Sequence, residues 1–331
     1  MALLHDAFDR RIDYLRISVT DRCNMRCQYC MPAEGMAFAP REELLSFDEI
    51  VAFVREVAVP LGITKLRLTG GEPLVRPGLP GLAARLAALP EIRDLALTTN
   101  GALLTTLARD LQVAGVTRLN ISLDTLRPER FREMTRGGDF QRVWEGLETS
   151  ERLGFAPLKL NCVVMRGFNE DELVDFVALT LQRPWHVRFI EFMPVGDYAR
   201  FQHLGYVSSA DMQARIAERH RLEPLAQRDF AGNGPARYWQ VQGALGSVGF
   251  ISQMSHDFCA SCNRVRLTAD GRFRHCLLSD HELDLRALLR SGGAWADIRE
   301  AIALDLQRKP QRHFDGQGIS GRGRTMSQIG G

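Results

Sequence analysis

Three cysteines fall close together in "TDRCNMRCQYCMP": Cys23, Cys27 and Cys30. A closed structural zinc site takes four ligands and a disulfide takes two, so three thiols on one tight loop leave a position to fill. A mononuclear zinc with a remote histidine would fill it one way. An iron–sulfur cluster would fill it another way, because an all-cysteine [4Fe–4S] site takes four thiolates and three would leave one iron open to a substrate or cofactor. A second triad lies in "CASCNRVRLTADGRFRHC", at Cys259, Cys262 and Cys276. There "VRLT" and "RFRHC" flank Asp270-Gly271, a favoured two-residue hairpin turn. With Ala269 facing Arg272, the returning strand places Cys276 opposite Val265 and beside the Cys259–Cys262 loop. Arg264 and Arg266, two apart, then share one face of the strand. By spacing alone this triad also suits a Cys₃His zinc site through His256 or His275.

The elements that must position these loops repeat. β-rich runs occur at 14–19, 65–69, 95–99, 118–123, 158–164 and 187–192. Amphipathic segments lie between them, at about 79–89, 104–114, 140–153 and 169–182. Another starts at Ser46, where Ser46 and Glu49 form a capping-box pattern, and runs toward Gly62. Strand and helix alternating six times predicts parallel βα units. Chemically loaded turns follow strand after strand: the cysteine loop, "TGGEP", "TTNG", "SLD" and "EFMPVG". Function gathered at the carboxyl ends of many strands marks a (β/α) barrel face rather than the single switch point of an open sheet. The expected fold is α/β, an incomplete (β/α)₆ barrel over 1–220. A C-terminal α+β region follows over 221–306. In it, "ARYWQVQGALGSVGFIS" alternates and predicts short antiparallel strands. The stretch 307–331 is Arg- and Gly-rich, and its composition reads as a disordered basic tail.

Composition narrows the class. The chain has 331 residues, 45% apolar and 25% charged, with a formal net charge of +2, so it can bury a large core and carries no global field for nucleic acid or membrane. Only Lys65, Lys159 and Lys309 among the 42 basic residues are lysines, which makes a lysine inside a strand worth notice. Residues 1–14 lack a signal-peptide core and no 18-residue apolar run occurs, so a cytoplasmic protein is expected, in which clustered cysteines bind metal or do redox chemistry. Cys162 stands apart and is expected to be a small buried hydrophobe.

C-x₃-C-x₂-C with Tyr29 before the last cysteine, followed one βα unit later by "GGEP", resembles the radical S-adenosylmethionine (SAM) superfamily. The second triad within "CNRVRLTADG", together with "LRLTGGEPLVR", "FIEFMPVG" and the terminal "IGG", is similar to the GTP 3′,8-cyclase family of molybdenum cofactor biosynthesis, over nearly the whole chain. The resemblance implies two [4Fe–4S] clusters, one on each triad. SAM would chelate the open iron of the first, lined by Tyr29, Gly71, Ser122 and Met193; the second would bind the guanine end of GTP. Gly70 and Gly71 would let backbone approach the ligand, and Glu72 would accept from its ammonium.

The same resemblance assigns Arg16, Arg67, Thr98, Lys159, Arg264 and Arg266 to GTP, with Arg16, Arg264 and Arg266 helping to complete the radical step. Arginine forks suit phosphate oxygens, and no P-loop motif occurs. Lys65 is expected on phosphate as well. The implied reaction removes hydrogen from the ribose C3′ and joins C3′ to C8. Implied partners are an electron donor, a cyclic pyranopterin monophosphate synthase that takes the product, and a second copy of the chain in a homodimer, without nucleic acid or membrane. The resemblance also implies that Gly330-Gly331 enters the active site. The competing readings are a radical SAM peptide maturase with an auxiliary cluster and a zinc-binding nucleic-acid module.

Overall fold

The repeat of β-branched runs and amphipathic segments builds one mixed sheet in the computed structural model, which describes residues 3–193, 205–226, 234–312 and 323–330. The order begins β1 (Tyr14–Ser18), α1 (Phe47–Phe53), β2 (Lys65–Thr69), α2 (Leu79–Ala87), β3 (Asp94–Thr99), α3 (Leu104–Val113) and β4 (Arg118–Ser122). It continues α4 (Pro128–Thr135), α5 (Phe140–Arg152), β5 (Leu158–Val164), α6 (Leu173–Gln182), β6 (Trp185–Glu191) and α7 (Ser209–Ala217). Then come β7 (Leu222–Pro224), β8 (Arg237–Val241), β9 (Ser247–Ile251), β10 (Arg264–Leu267), β11 (Arg272–Arg274) and β12 (Leu283–Asp284). α8 (Leu285–Arg290), α9 (Trp295–Leu306) and α10 (Met326–Ile329) complete it.

The strand order is β12-β11-β10-β1-β2-β3-β4-β5-β6-β9-β8-β7. β1 to β6 lie side by side in parallel, and β10 and β9 add to them in parallel at either end. The sheet does not close, because the outer neighbours of β10 and β9 are the antiparallel β11 and β8. Apolar strand residues such as Ile17, Leu68, Leu97, Ile121, Leu160 and Phe189 are fully buried in one continuous core with Phe53, Leu82, Leu104, Leu147 and Phe176 from the helices. Runs buried this completely are what a parallel sheet covered by helices requires.

Local signals explain most boundaries. Ser46 and Glu49 form the expected capping box, and α1 continues through a π turn at Val54–Ala58. α4 was not anticipated, although Pro128 at its first turn marks the start. β8 and β9 pair antiparallel as the alternation predicts.

Two expectations are corrected. The β10–β11 pairing is Arg266 with Arg274 and Leu267 with Phe273, so Cys276 stands one place along from the expected partner, opposite Arg264. The loop has three residues, not two: Gly271 alone takes positive φ (76°) and its N–H bonds Thr268 O. A type I′ turn needs positive φ at Asp270 also, so the chain forms a three-residue loop closed by glycine instead. The tail is also more ordered than its composition suggested. Lys309 is buried, and residues 325–329 form a capped helix with Ile329 at 1% exposure. Residues 313–322 and Gly331 lie outside the described residues, as do 194–196 of "EFMPVG".

Candidate active site

The first cysteine loop leaves β1 and is fixed by backbone pairing. Gly71 N–H donates to Thr20 O (2.7 Å) and Glu72 N–H to Arg22 O (2.8 Å), so "TGGEP" runs alongside the start of the loop. A β-carbon on Gly71 would stand 2.4 Å from Arg22 O, and one on Gly70 2.6 Å from Thr20 O. The close approach expected of these glycines is therefore toward the cysteine loop's own backbone. Gly71→Ala is expected to push the loop off its seat. It should lower the iron bound per chain at least severalfold and lower Tm, checked by iron analysis and thermal melting; full iron content would contradict this.

Glu72 lines the cavity and is held mainly from inside the protein. Its buried carboxylate accepts from Leu74 N–H (3.0 Å), Thr99 Oγ1–H (2.7 Å) and Asn100 N–H (2.6 Å). Three of its four lone-pair positions are thus taken inside the protein, and burial lifts its pKa to about 7. Its role is to tie "TGGEP" to "TTNG".

Cys23, Cys27 and Cys30 line one cavity together with Tyr29, Gly71, Ser122 and Met193. Cys30 N–H donates to Cys27 O (3.0 Å), a tight turn that turns both thiols toward the same space. Burial raises all three thiols, Cys23 to about 11 and Cys30 to about 12. Tyr29 OH donates to Asp124 Oδ2 (2.9 Å), and Val163 N–H holds Oδ1 (2.8 Å). Asp124 is pushed up to about 6 by burial.

The second triad lines the same cavity. Cys259 and Cys262 sit on a short turn, Cys262 N–H donating to Cys259 O (3.1 Å). Arg10 braces that turn from the N-terminal segment, donating to Cys259 O (2.7 Å), Pro310 O (2.8 Å) and Gln311 O (3.1 Å). Burial works against ionisation of Cys262, yet the charges of Lys309 and Arg264 bring it down to about 7. Lys309 donates to the carbonyls of Arg264 and His275. His275 is held by Asp305 (3.2 Å) and His256 is not among the residues lining the cavity. Among the described residues no group of three or more His, Cys, Asp or Glu side chains lies close enough to share a single metal ion.

Between the triads runs a ladder of cations. Parallel register sets Arg266 opposite Arg16 and Arg16 opposite Arg67, so three guanidiniums start from one level of β10, β1 and β2. Neighbouring strands are about 4.8 Å apart, and like charges at such positions repel. Burial, then Arg266 and Arg67, pull Arg16 well below the ordinary arginine value, and burial and Arg264 take Arg266 down to about 9. A guanidinium keeps its proton, so the pull is unfavourable energy that a bound polyanion would relieve.

Arg67 Nε, Thr98 Oγ1 and Asn161 Oδ1 are buried atoms of cavity-lining residues and have no hydrogen-bond partner among the described residues. Arg264 stacks over the Phe258 ring (4.7 Å). Lys159 is buried at 3% exposure beside the Tyr238 ring (5.9 Å) but is not itself among the cavity-lining residues. Lys65 is corrected: it pairs with Asp13 (2.8 Å), away from the cavity. Cys162 is buried as expected.

Sequence reading missed Asn100, Asp124, Asn161, Arg188, Gln253 and Lys309, all on the cavity wall. Asp124 ended a turn already marked as loaded, and Lys309 was one of only three lysines; Asn161 and Arg188 gave no signal until the pairing of β5 with β6 placed them in register.

Two family models divide the chain: the Radical SAM superfamily matches residues 17–180 and Molybdenum Cofactor Synthesis C matches 185–315. A protein named GTP 3′,8-cyclase from Pelotomaculum thermopropionicum is 50% identical over 329 residues, covering 99% of this chain and all of that one. One of the same name from Gloeobacter violaceus is 50% identical, covering 97% and 99%. Among solved structures, Streptococcus suis SuiB bound to precursor peptide SuiA superposes with a TM-score of 0.59 at 13% identity, over 91% of this chain and 71% of that one. At that identity the likeness shows the fold alone.

Proposed function

The chain belongs to the GTP 3′,8-cyclase family of radical SAM enzymes, and from that we propose how its cavity carries out the first step of molybdenum cofactor biosynthesis, the conversion of GTP to 3′,8-cyclo-7,8-dihydro-GTP. Membership implies a [4Fe–4S] cluster and SAM. We assign that cluster to Cys23, Cys27 and Cys30, SAM to Tyr29, Gly71, Ser122 and Met193, and a second [4Fe–4S] cluster to Cys259, Cys262 and Cys276.

The residues present fit these groups. Each triad is thiol-only, faces the cavity and falls short by one of the four thiolates that complete a cluster. The glycine pair seats the first loop where a side chain could not go. When bound, SAM on a reduced cluster supplies a carbon radical able to take a hydrogen atom from the ribose C3′ of GTP. Closing C3′ onto C8 within the substrate would leave a nitrogen-centred radical that one electron from the donor and one proton must quench to give the dihydro product, and the protein's part is to hold both ends of GTP still and keep water out.

The observation that carries the reading is the ladder Arg266–Arg16–Arg67 between the two triads, with Arg266 buried and Arg16 and Arg67 half-buried. We infer that it takes the triphosphate, with Thr98, Lys159 and Arg264 completing the contacts and Arg16, Arg264 and Arg266 nearest the reacting ribose. Asn161 and Arg188 extend the polar wall across β5 and β6. A strand-borne array of forks does for phosphate what a P-loop does with backbone amides. We read the curved sheet as an incomplete (β/α)₆ barrel over 1–220, with 221–306 bringing the second cluster and 307–331 the tail. An electron donor, a homodimer and hand-over of product to cyclic pyranopterin monophosphate synthase belong to the same reading. No helix among the described residues is long and apolar enough to cross a membrane.

Iron, labile sulfide and zinc in anaerobically purified protein test the assignment. About eight irons and eight sulfides per chain are expected from two four-iron clusters; two zincs without sulfide would contradict it.

Lys159 gives a pH prediction. Burial, then Arg188, Arg118 and Arg67, lower it to about 6. Its folded value lies below its unfolded one, so between the two the unfolded chain holds the extra proton. Its contribution to stability therefore rises with pH from about 6 toward the ordinary lysine value of 10.5. A bound triphosphate favours the charged form, so GTP binding at pH 8 should take up about one proton. Calorimetry in buffers of different ionisation enthalpy reads this directly. Proton uptake that persists unchanged in Lys159→Met would show the assignment to be wrong.

A further inference from the structure

We propose that Arg324 is a positioning residue: its paired hydrogen bonds to Asp270 latch the C-terminal helix to the hairpin that carries Arg264 and Arg266, and so hold the end of the chain in the cavity. The catalytic consequence rests on the cyclase reading above; the docking itself does not.

α10 has four residues, far fewer than a helix needs to persist alone. Its placement must come from tertiary contacts, at its middle from Ser327 Oγ–H on Met36 Sδ (3.3 Å) and at its two ends. At the inner end Ile329 packs with Leu278, and Gly330 O accepts from Arg266 Nη1 (2.6 Å). Met326 and Ser327 line the cavity. At the outer end Arg324 donates from Nη1 to Asp270 Oδ1 (3.1 Å) and from Nη2 to Asp270 Oδ2 (2.8 Å). Its Nε adds Glu282 Oε2 (3.1 Å).

This is unlike an ordinary surface pair. The geometry is fork to fork, the Arg324 and Asp270 side chains are 22% and 17% exposed, and a second acid joins. Such features distinguish pairs that matter from those worth little. Asp270 is itself pinned, accepting from Thr268 Oγ1–H (2.6 Å). It lies in the loop joining β10 to β11, so the latch and the ladder arginine Arg266 ride on one hairpin. The outer contact thus sets where the inner one falls: with Arg324 released, Gly330 loses its fixed approach to Arg266.

Hydrogen exchange on the reconstituted full-length protein tests this. In Arg324→Gln, protection of the amides of 323–330 should fall about tenfold or more, the loss expected for a charge-assisted pair, while β10 and α9 keep theirs. Arg324→Lys, which retains the charge but loses the fork, should recover part of it. Asp270→Asn should reproduce the loss, which guards against one badly folding variant. With SAM and GTP, Arg324→Gln should form severalfold less cyclised product per 5′-deoxyadenosine while first-triad cleavage of SAM continues. Unchanged protection of 323–330 in both variants would overturn the latch, and lost protection with an unchanged product ratio would overturn its catalytic consequence. If wild-type protein forms no cyclised GTP, the cyclase reading fails, and the exchange result still decides the latch.

Discussion

Cys276→Ala is expected to leave a protein that cleaves SAM but forms no cyclised GTP. Cys276 follows β11 and stands two places beyond the last β10–β11 pair, opposite Arg264, so its thiol meets the Cys259–Cys262 turn across the hairpin. Removing it leaves two thiolates, too few to hold four irons. The first triad stands on a different loop, seated by Gly71 and tied through Asn100 and Glu72. Bound iron should therefore drop from about eight to about four per chain. 5′-Deoxyadenosine should still appear on reduction, and product should fall at least 1,000-fold, as expected where a substrate loses its positioning group. Full product formation, or loss of SAM cleavage together with product, would contradict separate roles for the two triads.

Arg16→Met should have the second largest effect, with opposite signs on binding and stability. Arg16 is the middle rung of the ladder, with Arg266 on one side and Arg67 on the other. A hydrogen bond to a charged group contributes about 1.5–3 kcal/mol, and a fork makes two, so KM for GTP should rise about 100-fold or more. In the substrate-free protein the same guanidinium is half-buried among like charges. Replacing it with an apolar side chain of similar length removes that repulsion, so Tm without GTP should rise by a few degrees. Arg16→Lys should recover binding only in part, since an ammonium cannot grip two phosphate oxygens in one plane. A lower Tm together with an unchanged KM would mean that Arg16 is structural.

What could be read from the sequence was local. Cys23, Cys27 and Cys30 declared themselves because their spacing is short and the loop follows a clear strand. The strands from β1 to β6 were legible because each is short, β-rich and followed by an amphipathic helix. The joining of β9 and β10 to that parallel run was not, since it pairs distant residues, His186 with Ser247 across β6 and β9 and Arg16 with Arg266 across β1 and β10. The arginine ladder depends on the same long-range register. Arg16, Arg67 and Arg266 could be named one by one, but their alignment at one level could not.

The misreadings have physical causes too. The hairpin register slipped by one because Asp-Gly supports both a two-residue turn and a three-residue loop, and only backbone φ separates them. Nothing local in the sequence shows that Thr99 and Asn100, one strand over, take two of the positions on the Glu72 carboxylate. Lys65 looked like a phosphate ligand because its partner Asp13 is on the neighbouring strand's approach. The tail looked disordered because composition says nothing of Asp270, fifty-four residues earlier, which receives Arg324.

The central claim is that GTP lies between a radical source at the first triad and an anchor at the second, with C3′ presented for hydrogen removal. The most direct measurement is to reduce the reconstituted protein with SAM and GTP deuterated at C3′ and follow the label. The account predicts deuterium in 5′-deoxyadenosine and a 3′,8-cyclised nucleotide that has lost it, with neither formed from ATP. Unlabelled 5′-deoxyadenosine beside a cyclised product, or equal reaction of ATP, would contradict it.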